Sequence, residues 1–298
     1  MTDRNSLNSW FTRMALPAIL LLGTVLRVFK LGRESLWLDE VGTVNIAQKS
    51  ISEMFHYIVH FDVHPPLYYF LLHLWIRLFG DSEFSVRFPS VIFGIATIWL
   101  IYVIGKSFFD EKTGLLCAFL LSVSSFHIYY SQETRMYTML GFFSLVSILS
   151  LWKIKESQSH FWRGAYVFST ITSLYLLNTA FLLLILHNVL FLVLHHRCLE
   201  ISQRRLWLFL QFCVLGAFMF WGPQIFNQIG ALQKGEWLGW IQVPTLGHIA
   251  EMLMEFCGAF PVHSGKEPAT IHFLSSILFS VGFLFFLCHR KHPSEKAR

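Results

Sequence analysis

Two adjacent carboxylates, Asp39 and Glu40, follow the first long apolar segment of the sequence. Ionisable side chains beside such segments are costly to desolvate, which makes them candidates for a function. A carboxylate in this setting can act as a general base that removes a proton from a hydroxyl group. A structural alternative exists, because acidic side chains also favour the N-terminus of a helix, here over residues 40–49. The residue types alone leave both interpretations open.

Three histidines follow at intervals of four residues, namely His56, His60 and His64. On one continuous helix they would share a face, as the ligands of a zinc site can. Pro65 disfavours helical backbone at the residue before it, so we expect His64 to leave that face. We interpret His64 instead as a hydrogen-bond donor at the boundary between loop and membrane, available to a phosphate or a sugar.

A second polar cluster, Glu133 and Arg135, separates two later apolar segments. One interpretation is an ion pair that closes a turn between helices. The other is that Arg135 faces a phosphate, because the planar guanidinium group can bind two phosphate oxygens at once. Glu133 would then place a further carboxylate near Asp39. For Arg77 and Arg87 we expect no more than anchoring at the membrane interface.

Apolar residues dominate the 298-residue chain, since 54% are hydrophobic and only 14% are charged. Soluble domains carry about 25% charged residues, and a soluble fold could not bury so much apolar surface. The composition therefore excludes a secreted disulfide scaffold, a coiled coil and a nucleic-acid-binding domain. It predicts an all-α fold, a polytopic bundle of transmembrane helices, because helices satisfy their own backbone hydrogen bonds in lipid.

A membrane-spanning helix needs about 20 residues and rarely has fewer than about 17. The segment 66–80 is shorter and carries His73 and Arg77, so we interpret it as a juxtamembrane or re-entrant helix. The other segments then predict eight spans, and a ninth results if 66–80 crosses. The apolar segments lie at 14–30, 66–80, 88–105, 114–130, 137–152, 162–178, 180–195, 206–222 and 269–288.

Basic residues cluster between the later apolar segments, for example at Lys106 and Lys112. Such clusters prefer the cytoplasmic side of a membrane, and eight spans with a cytoplasmic N-terminus place all of them there. Three stretches then lie outside, at 31–87, 127–136 and 223–268. We therefore predict that both polar clusters lie on the extracytoplasmic side.

Four motifs follow one another in the first half of the chain. They are Leu36-Trp37-Leu38-Asp39-Glu40, His64-Pro65-Pro66-Leu67-Tyr68-Tyr69, Phe84-Ser85-Val86-Arg87-Phe88-Pro89-Ser90 and Tyr129-Tyr130-Ser131-Gln132-Glu133-Thr134-Arg135-Met136-Tyr137. In this order and spacing they resemble the GT-C class of polytopic membrane glycosyltransferases. The pattern is similar to that of bacterial relatives of protein O-mannosyltransferases and lipid A aminoarabinose transferases, in a short version.

The resemblance covers residues 14–155, which would form the catalytic half of the protein. Residues 156–298 would supply further spans and the outer loop 223–268. No segment outside the spans is long enough to bury a core of its own. We therefore expect a single membrane domain over residues 1–298.

The resemblance implies a glycosyltransferase that moves a hexosyl or pentosyl group from a polyprenyl-phosphate-linked donor, a membrane lipid, to an acceptor on the extracytoplasmic face. Asp39 matches the catalytic acid of the family, which in inverting enzymes deprotonates the acceptor hydroxyl. Glu40 matches a second acid that orients the acceptor or the base. The sequence requires no cofactor, although its two or three acids can hold Mg²⁺ or Mn²⁺.

The same resemblance assigns substrate binding to residues of the two outer clusters. His64 matches a position near the donor phosphate, and Glu133, Arg135 and Tyr137 match the second loop of the catalytic centre. It also implies an integral membrane protein of the bacterial inner membrane, with its active site on the extracytoplasmic side.

Two other classes of function are consistent with parts of the sequence. Members of the family are usually longer, which raises the alternative of a non-catalytic assembly subunit. A small-molecule transporter would have ionisable residues along its spans, whereas here the polar residues concentrate at the outer ends of the spans. The residues do not identify the sugar, or whether the acceptor is a lipid, a polysaccharide or a protein.

Overall fold

A computed structural model of the chain describes residues 2–157, 159–194 and 201–233. The secondary structure of these ranges is helical and includes no strand, which confirms the predicted all-α fold. The predicted span 269–288 and most of the predicted outer loop 223–268 lie outside them.

Twelve α-helices occur in the described ranges, with a short 3₁₀ helix at Asn178–Ala180 between the ninth and the tenth. The helices are α1 Thr2–Val28, α2 Leu38–Ala47, α3 Ile51–Phe61, α4 Leu67–Phe79, α5 Glu83–Phe108, α6 Glu111–Val123, α7 Ser125–Ser131, α8 Tyr137–Glu156, α9 His160–Leu176, α10 Phe181–Leu194, α11 Ile201–Phe218 and α12 Gly222–Gln233.

The chain divides into two compact units, residues 1–123 with 127–237 and residues 124–126 with 238–298. The candidate site lies within the first unit. The expectation of a single membrane domain over 1–298 stays a prediction.

Two helices, α5 and α8, are long and apolar enough to cross a membrane. Helices α6 and α7 form a third candidate if the pair, bent by 63°, is one span. Three shorter apolar helices lie at Met14–Val28, Leu67–Phe79 and Asn178–Val193. With 13 residues, α4 is about 20 Å long, less than the roughly 30 Å of a hydrocarbon core, which supports its assignment as a non-crossing helix. The number of spans stays a prediction.

The bend between α6 and α7 is held by Arg27 of α1, whose side chain is fully buried. Its guanidinium group donates to the carbonyl oxygens of Leu121 and Ser122 at 3.1 and 3.0 Å and to Ser131 Oγ at 3.2 Å. Carbonyl groups at a helix C-terminus have no partner within the helix, and a cation is favourable there. The contact therefore stabilises the broken end of α6.

The turn that follows α7 is fixed to the end of α1. Gln132 Nε2 donates to the carbonyl oxygens of Arg27 and Phe29 at 3.1 and 2.9 Å. Helix α5 approaches the same region closely, because a Cβ atom on Gly94 would lie 2.4 Å from Ser131 Oγ. A larger residue at 94 would force the Ser131 side chain to move, and Ser131 is the last residue of α7 before the 132–136 turn.

Candidate functional site

A buried ion pair positions the start of α2. Glu40 is fully buried, and Arg87 of α5 donates to it from Nε at 2.9 Å and from Nη2 at 2.6 Å. Arg87 also donates to the carbonyl oxygens of Leu31, Glu34 and Ser35, at 3.0, 2.8 and 3.1 Å. One guanidinium group thus fixes the whole connection between α1 and α2 to the beginning of α5.

The Glu40 carboxylate also joins α2 to the 132–136 turn. It accepts from the backbone N–H of Thr134 at 2.7 Å and of Trp37 at 3.2 Å. Burial by itself would raise the pKa of Glu40, but the hydrogen bonds from Arg87 and Thr134 outweigh it and hold the pKa below its usual value. The expectation that Arg87 only anchors the membrane interface was wrong, because Arg87 is buried and forms an ion pair with Glu40.

Asp39 differs from its neighbour Glu40 in both burial and hydrogen bonding. Its side chain is exposed, and its carboxylate forms no hydrogen bond or ion pair with the residues that the structure describes. Both acids lie in the first turn of α2, so the predicted helix at this position is confirmed. The ion pair with Arg87 at the start of α2 gives Glu40 a structural role, whereas the Asp39 carboxylate is available to a ligand.

Arg135 connects the turn to α2 and to the loop before α4. It is 6% exposed, and its Nη1 atom donates to Thr43 Oγ1 at 2.9 Å. Thr43 in turn donates to the backbone carbonyl of Asp39 at 2.7 Å. On its other side, Arg135 Nη2 lies 3.3 Å from His64 Nε2. The predicted site residues Asp39, His64 and Arg135 are therefore brought together by one network.

Asp62 holds His64 in this network, and the sequence argument had given it no role. Its Oδ1 accepts from the backbone N–H of His64 at 2.7 Å and lies 2.8 Å from His64 Nδ1, while its Oδ2 accepts from Tyr69 at 2.7 Å. Burial would raise the pKa of Asp62, but these hydrogen bonds lower it overall. The spacing of Asp62 and His64 in the sequence could have predicted this contact, because an Asp side chain commonly accepts a hydrogen bond from the backbone N–H two residues later.

The contacts of His64 indicate its tautomer. A proton on Nδ1 is donated to Asp62, which leaves Nε2 to accept from Arg135. The predicted departure of His64 from the histidine face is confirmed, since α3 ends at Phe61. His56 and His60 stay on α3 with their rings 4.3 Å apart.

Glu133 is buried beside Arg135 but forms no ion pair with it within the described part of the chain, so the ion-pair interpretation of this turn was wrong. Glu133 Oε2 is buried without a hydrogen-bond partner among these residues, as is Arg135 Nε. Burial raises the pKa of Glu133 to about 7. Near neutral pH this carboxyl group is therefore partly protonated, and its protonated form can donate a hydrogen bond.

Tyr137, the first residue of α8, closes the other side of Arg135. The guanidinium carbon lies 5.7 Å from the centre of the Tyr137 ring, within the range of a cation–π interaction. The ring packs edge-on against Tyr130 at 5.0 Å. Together these contacts limit the positions that the Arg135 side chain can adopt.

The possibility of Mg²⁺ or Mn²⁺ rests on the two carboxyl groups with unpaired oxygens, Asp39 and Glu133. These ions prefer six oxygen ligands in octahedral geometry, some of them from water or substrate. Across residues 2–157, 159–194 and 201–233, no group of three or more His, Cys, Asp and Glu side chains is arranged to hold a metal ion. Metal dependence stays a prediction.

Replacement of Glu133 by Gln is expected to remove a pH-dependent loss of stability. Between its usual pKa of 4.5 and its folded pKa of about 7, Glu133 is protonated in the folded chain and ionised in the unfolded chain. The wild-type protein therefore loses stability as the pH rises through this range, and the loss is complete above about pH 7. The Glu133→Gln variant should unfold at a higher temperature than wild type at about pH 8, and the difference should shrink as the pH falls toward 4.5. Equal melting temperatures at about pH 8 in detergent would contradict this prediction.

Comparison with known proteins agrees with the sequence motifs. A family model described as dolichyl-phosphate-mannose-protein mannosyltransferase matches residues 63–223, which is more than half of the chain. The matched region contains His64, Arg87, Glu133 and Arg135 and begins after Asp39. No curated protein matches the chain. The chain belongs to this mannosyltransferase family, and it is therefore a membrane glycosyltransferase of the GT-C type, a class that uses polyprenyl-phosphate-linked sugars.

Proposed function

We propose that the protein transfers a hexosyl or pentosyl group from a polyprenyl-phosphate-linked donor to a hydroxyl group of an acceptor on the extracytoplasmic face of the membrane. One observation carries the proposal. The buried guanidinium group of Arg135 donates to Thr43, which lies one helical turn after Asp39 on α2 and donates to its backbone carbonyl, while the Asp39 carboxylate is free among the described residues. A base and a phosphate-binding cation are the two groups that such a transfer requires.

In the proposed step, Asp39 takes the proton of the acceptor hydroxyl. The acceptor oxygen forms a bond to the anomeric carbon of the sugar while the bond from that carbon to the phosphate oxygen breaks, with inversion at the carbon. Polyprenyl phosphate leaves with the bonding electron pair. Arg135 stabilises the negative charge that develops on this phosphate, because a buried cation acts strongly where water is excluded.

The remaining site residues would support these two. Glu40 is a positioning residue, because the ion pair with Arg87 fixes the turn of α2 that carries Asp39. His64 orients Arg135 by accepting its hydrogen bond at Nε2, and because Nδ1 donates to Asp62, His64 acts on the donor phosphate through Arg135. Glu133 is partly protonated near neutral pH, and its protonated form can donate a hydrogen bond from its unpaired oxygen to the phosphate or the sugar.

The side of the membrane on which the active site lies is inferred from the distribution of basic residues, and not from the geometry of the site. Basic residues cluster between the later helices, and such clusters favour the cytoplasmic side of the membrane. The helix ends that carry the site then lie on the other side, which supports an extracytoplasmic active site, in a bacterial inner membrane.

Arg135→Gln is expected to lower kcat/KM for sugar transfer by about 10²–10³-fold, the usual effect of removing one donor to developing charge. Arg135→Lys should recover part of the loss, because it restores the charge without the planar fork. The assay follows release of polyprenyl phosphate from a radiolabelled polyprenyl-phosphate mannose in native membranes that contain the overproduced chain.

Arg77→Gln is the matched control, since Arg77 is an exposed cation at the end of α4 with no hydrogen bond or ion pair to another described residue. It should transfer sugar at the wild-type rate. An Arg135→Gln variant as active as this control would overturn the role of Arg135, and purified wild-type chain that binds the donor without turnover would favour an assembly subunit.

A further inference from the structure

A cavity of about 250 Å³ lies between α8, α9, α10 and α11, away from the candidate active site. Its lining is mostly apolar and includes two basic side chains and one amide side chain. Residues that line it include Leu151, Lys155, Arg163, Phe191, Gln203 and Trp207. Ligand pockets for whole small molecules are usually about 300–1,000 Å³, so this cavity fits a head group better than a complete ligand.

The cations at this cavity lack partners. Neither Arg163 nor Lys155 forms a hydrogen bond or an ion pair with a residue in the described ranges, and Arg163 Nε is buried without a partner. Gln203 Oε1 is likewise buried without a partner among these residues. Buried polar atoms are nearly always paired in folded proteins, so two such atoms beside an exposed cation around one cavity indicate a ligand that completes their hydrogen bonds.

The cavity lies at the end of α8 opposite the candidate active site. Tyr137 begins this helix and Lys155 belongs to its last turn. With 20 residues, α8 is about 30 Å long, close to the thickness of a hydrocarbon core. If α8 crosses the membrane, the cavity lies at the level of lipid head groups, on the side that the basic residues between the later helices assign to the cytoplasm.

We infer that this cavity binds the head group of an anionic phospholipid. Arg163 and Lys155 pair with the phosphate, and Gln203 Oε1 accepts a hydrogen bond from a head-group hydroxyl such as those of phosphatidylglycerol. The apolar walls at Leu151 and Phe191 receive the first carbons of the acyl chains. Basic pockets between membrane helices on the cytoplasmic side commonly select anionic lipids in this way.

The test uses the full chain in nanodiscs of phosphatidylcholine mixed with phosphatidylglycerol. Lipid that stays bound after gentle extraction into detergent is identified by native mass spectrometry. Wild type should retain one phosphatidylglycerol. Arg163→Gln and Lys155→Gln should each lower the retained fraction about fivefold, which corresponds to about 1 kcal/mol per cation. Lys155 is exposed, so its replacement does not disturb the core.

Arg205→Gln is the matched control, because Arg205 is an exposed cation of α11 that does not line the cavity. It should retain phosphatidylglycerol as wild type does. Retention by Arg163→Gln equal to that of the control would overturn the inference. So would displacement of the lipid by an equal concentration of inorganic phosphate, since the cavity would then be a site for free phosphate.

Discussion

Asp39→Asn is expected to lower the rate of sugar transfer by about 10²–10⁴-fold, the contribution that a positioned general base usually makes. The amide keeps the shape of the side chain but cannot take the proton of the acceptor hydroxyl. Because the Asp39 side chain is exposed and has no hydrogen bond to another described residue, the melting temperature should stay within about 2 °C of wild type. Turnover of radiolabelled polyprenyl-phosphate mannose in native membranes measures the rate, and thermal unfolding in detergent measures the stability.

Glu83→Gln is the control for this experiment. Glu83 is also an exposed carboxylate at the first turn of a helix, and it has no part in the proposed site. It should leave the transfer rate unchanged. A full transfer rate in Asp39→Asn would show that another group accepts the proton. Reduced donor binding with an unchanged kcat would likewise contradict the role of a base, because a base acts only in the chemical step.

Glu40→Gln is expected to destabilise the protein by about 3–5 kcal/mol, the usual cost of leaving one partner of a buried ion pair without its counter-charge. The amide group of Gln would also present N–H donors to Arg87 and to the backbone of Thr134, which are donors themselves. The start of α2 should loosen, and sugar transfer should be lost together with stability. Thermal and denaturant unfolding in detergent measure the first effect.

Glu40 and Glu53 share a capping motif, in which the side chain accepts from the backbone N–H three residues earlier, at 3.2 Å in both cases. Two comparisons separate the effect of burial from the effect of this motif. Glu53→Gln alters the same motif at the start of α3, where Glu53 is exposed, so it should cost less than about 1 kcal/mol. The double variant Glu40→Leu with Arg87→Met should be more stable than either single variant, because it removes both buried charges. A Glu40→Gln variant as stable as Glu53→Gln would contradict the buried pair.

The pH dependence of this ion pair has a definite sign. The folded pKa of Glu40 lies below its usual value of 4.5, so its contribution to stability is complete above that value. The contribution is lost as the pH falls through the lowered folded pKa. Wild type should therefore lose stability on acidification below about pH 4.5, and Glu40→Gln should lose less.

Some features of the site followed from local sequence. The helix at the Asp-Glu pair was predicted over 40–49 and runs over Leu38–Ala47, because acidic residues in a first turn act through the dipole of that same helix. The departure of His64 from the histidine face also follows from its neighbour Pro65. Such effects act over one or two turns of chain, so the residues that cause them are adjacent in the sequence.

The partners of the site residues could not be predicted in the same way. Arg87 reaches Glu40 across 47 positions of sequence, and Arg135 reaches Thr43 across 92. Thr43 and Asp62 are ordinary residue types, and only contact with Arg135 and His64 gives them a role. Periodicity and composition carry no information about which distant side chains meet.

By itself, the sequence determined that the protein is a helical membrane protein, that its polar residues form two clusters, and that its motifs resemble the GT-C glycosyltransferases. The tertiary structure alone decided which of two adjacent carboxylates is free. Asp39 and Glu40 have the same chemistry, but α5 and the 132–136 turn bury Glu40 and pair both of its oxygens. Asp39 stays exposed. The physical reason is that desolvation and hydrogen bonding depend on what packs against a side chain, and helices far apart in the chain supply those contacts.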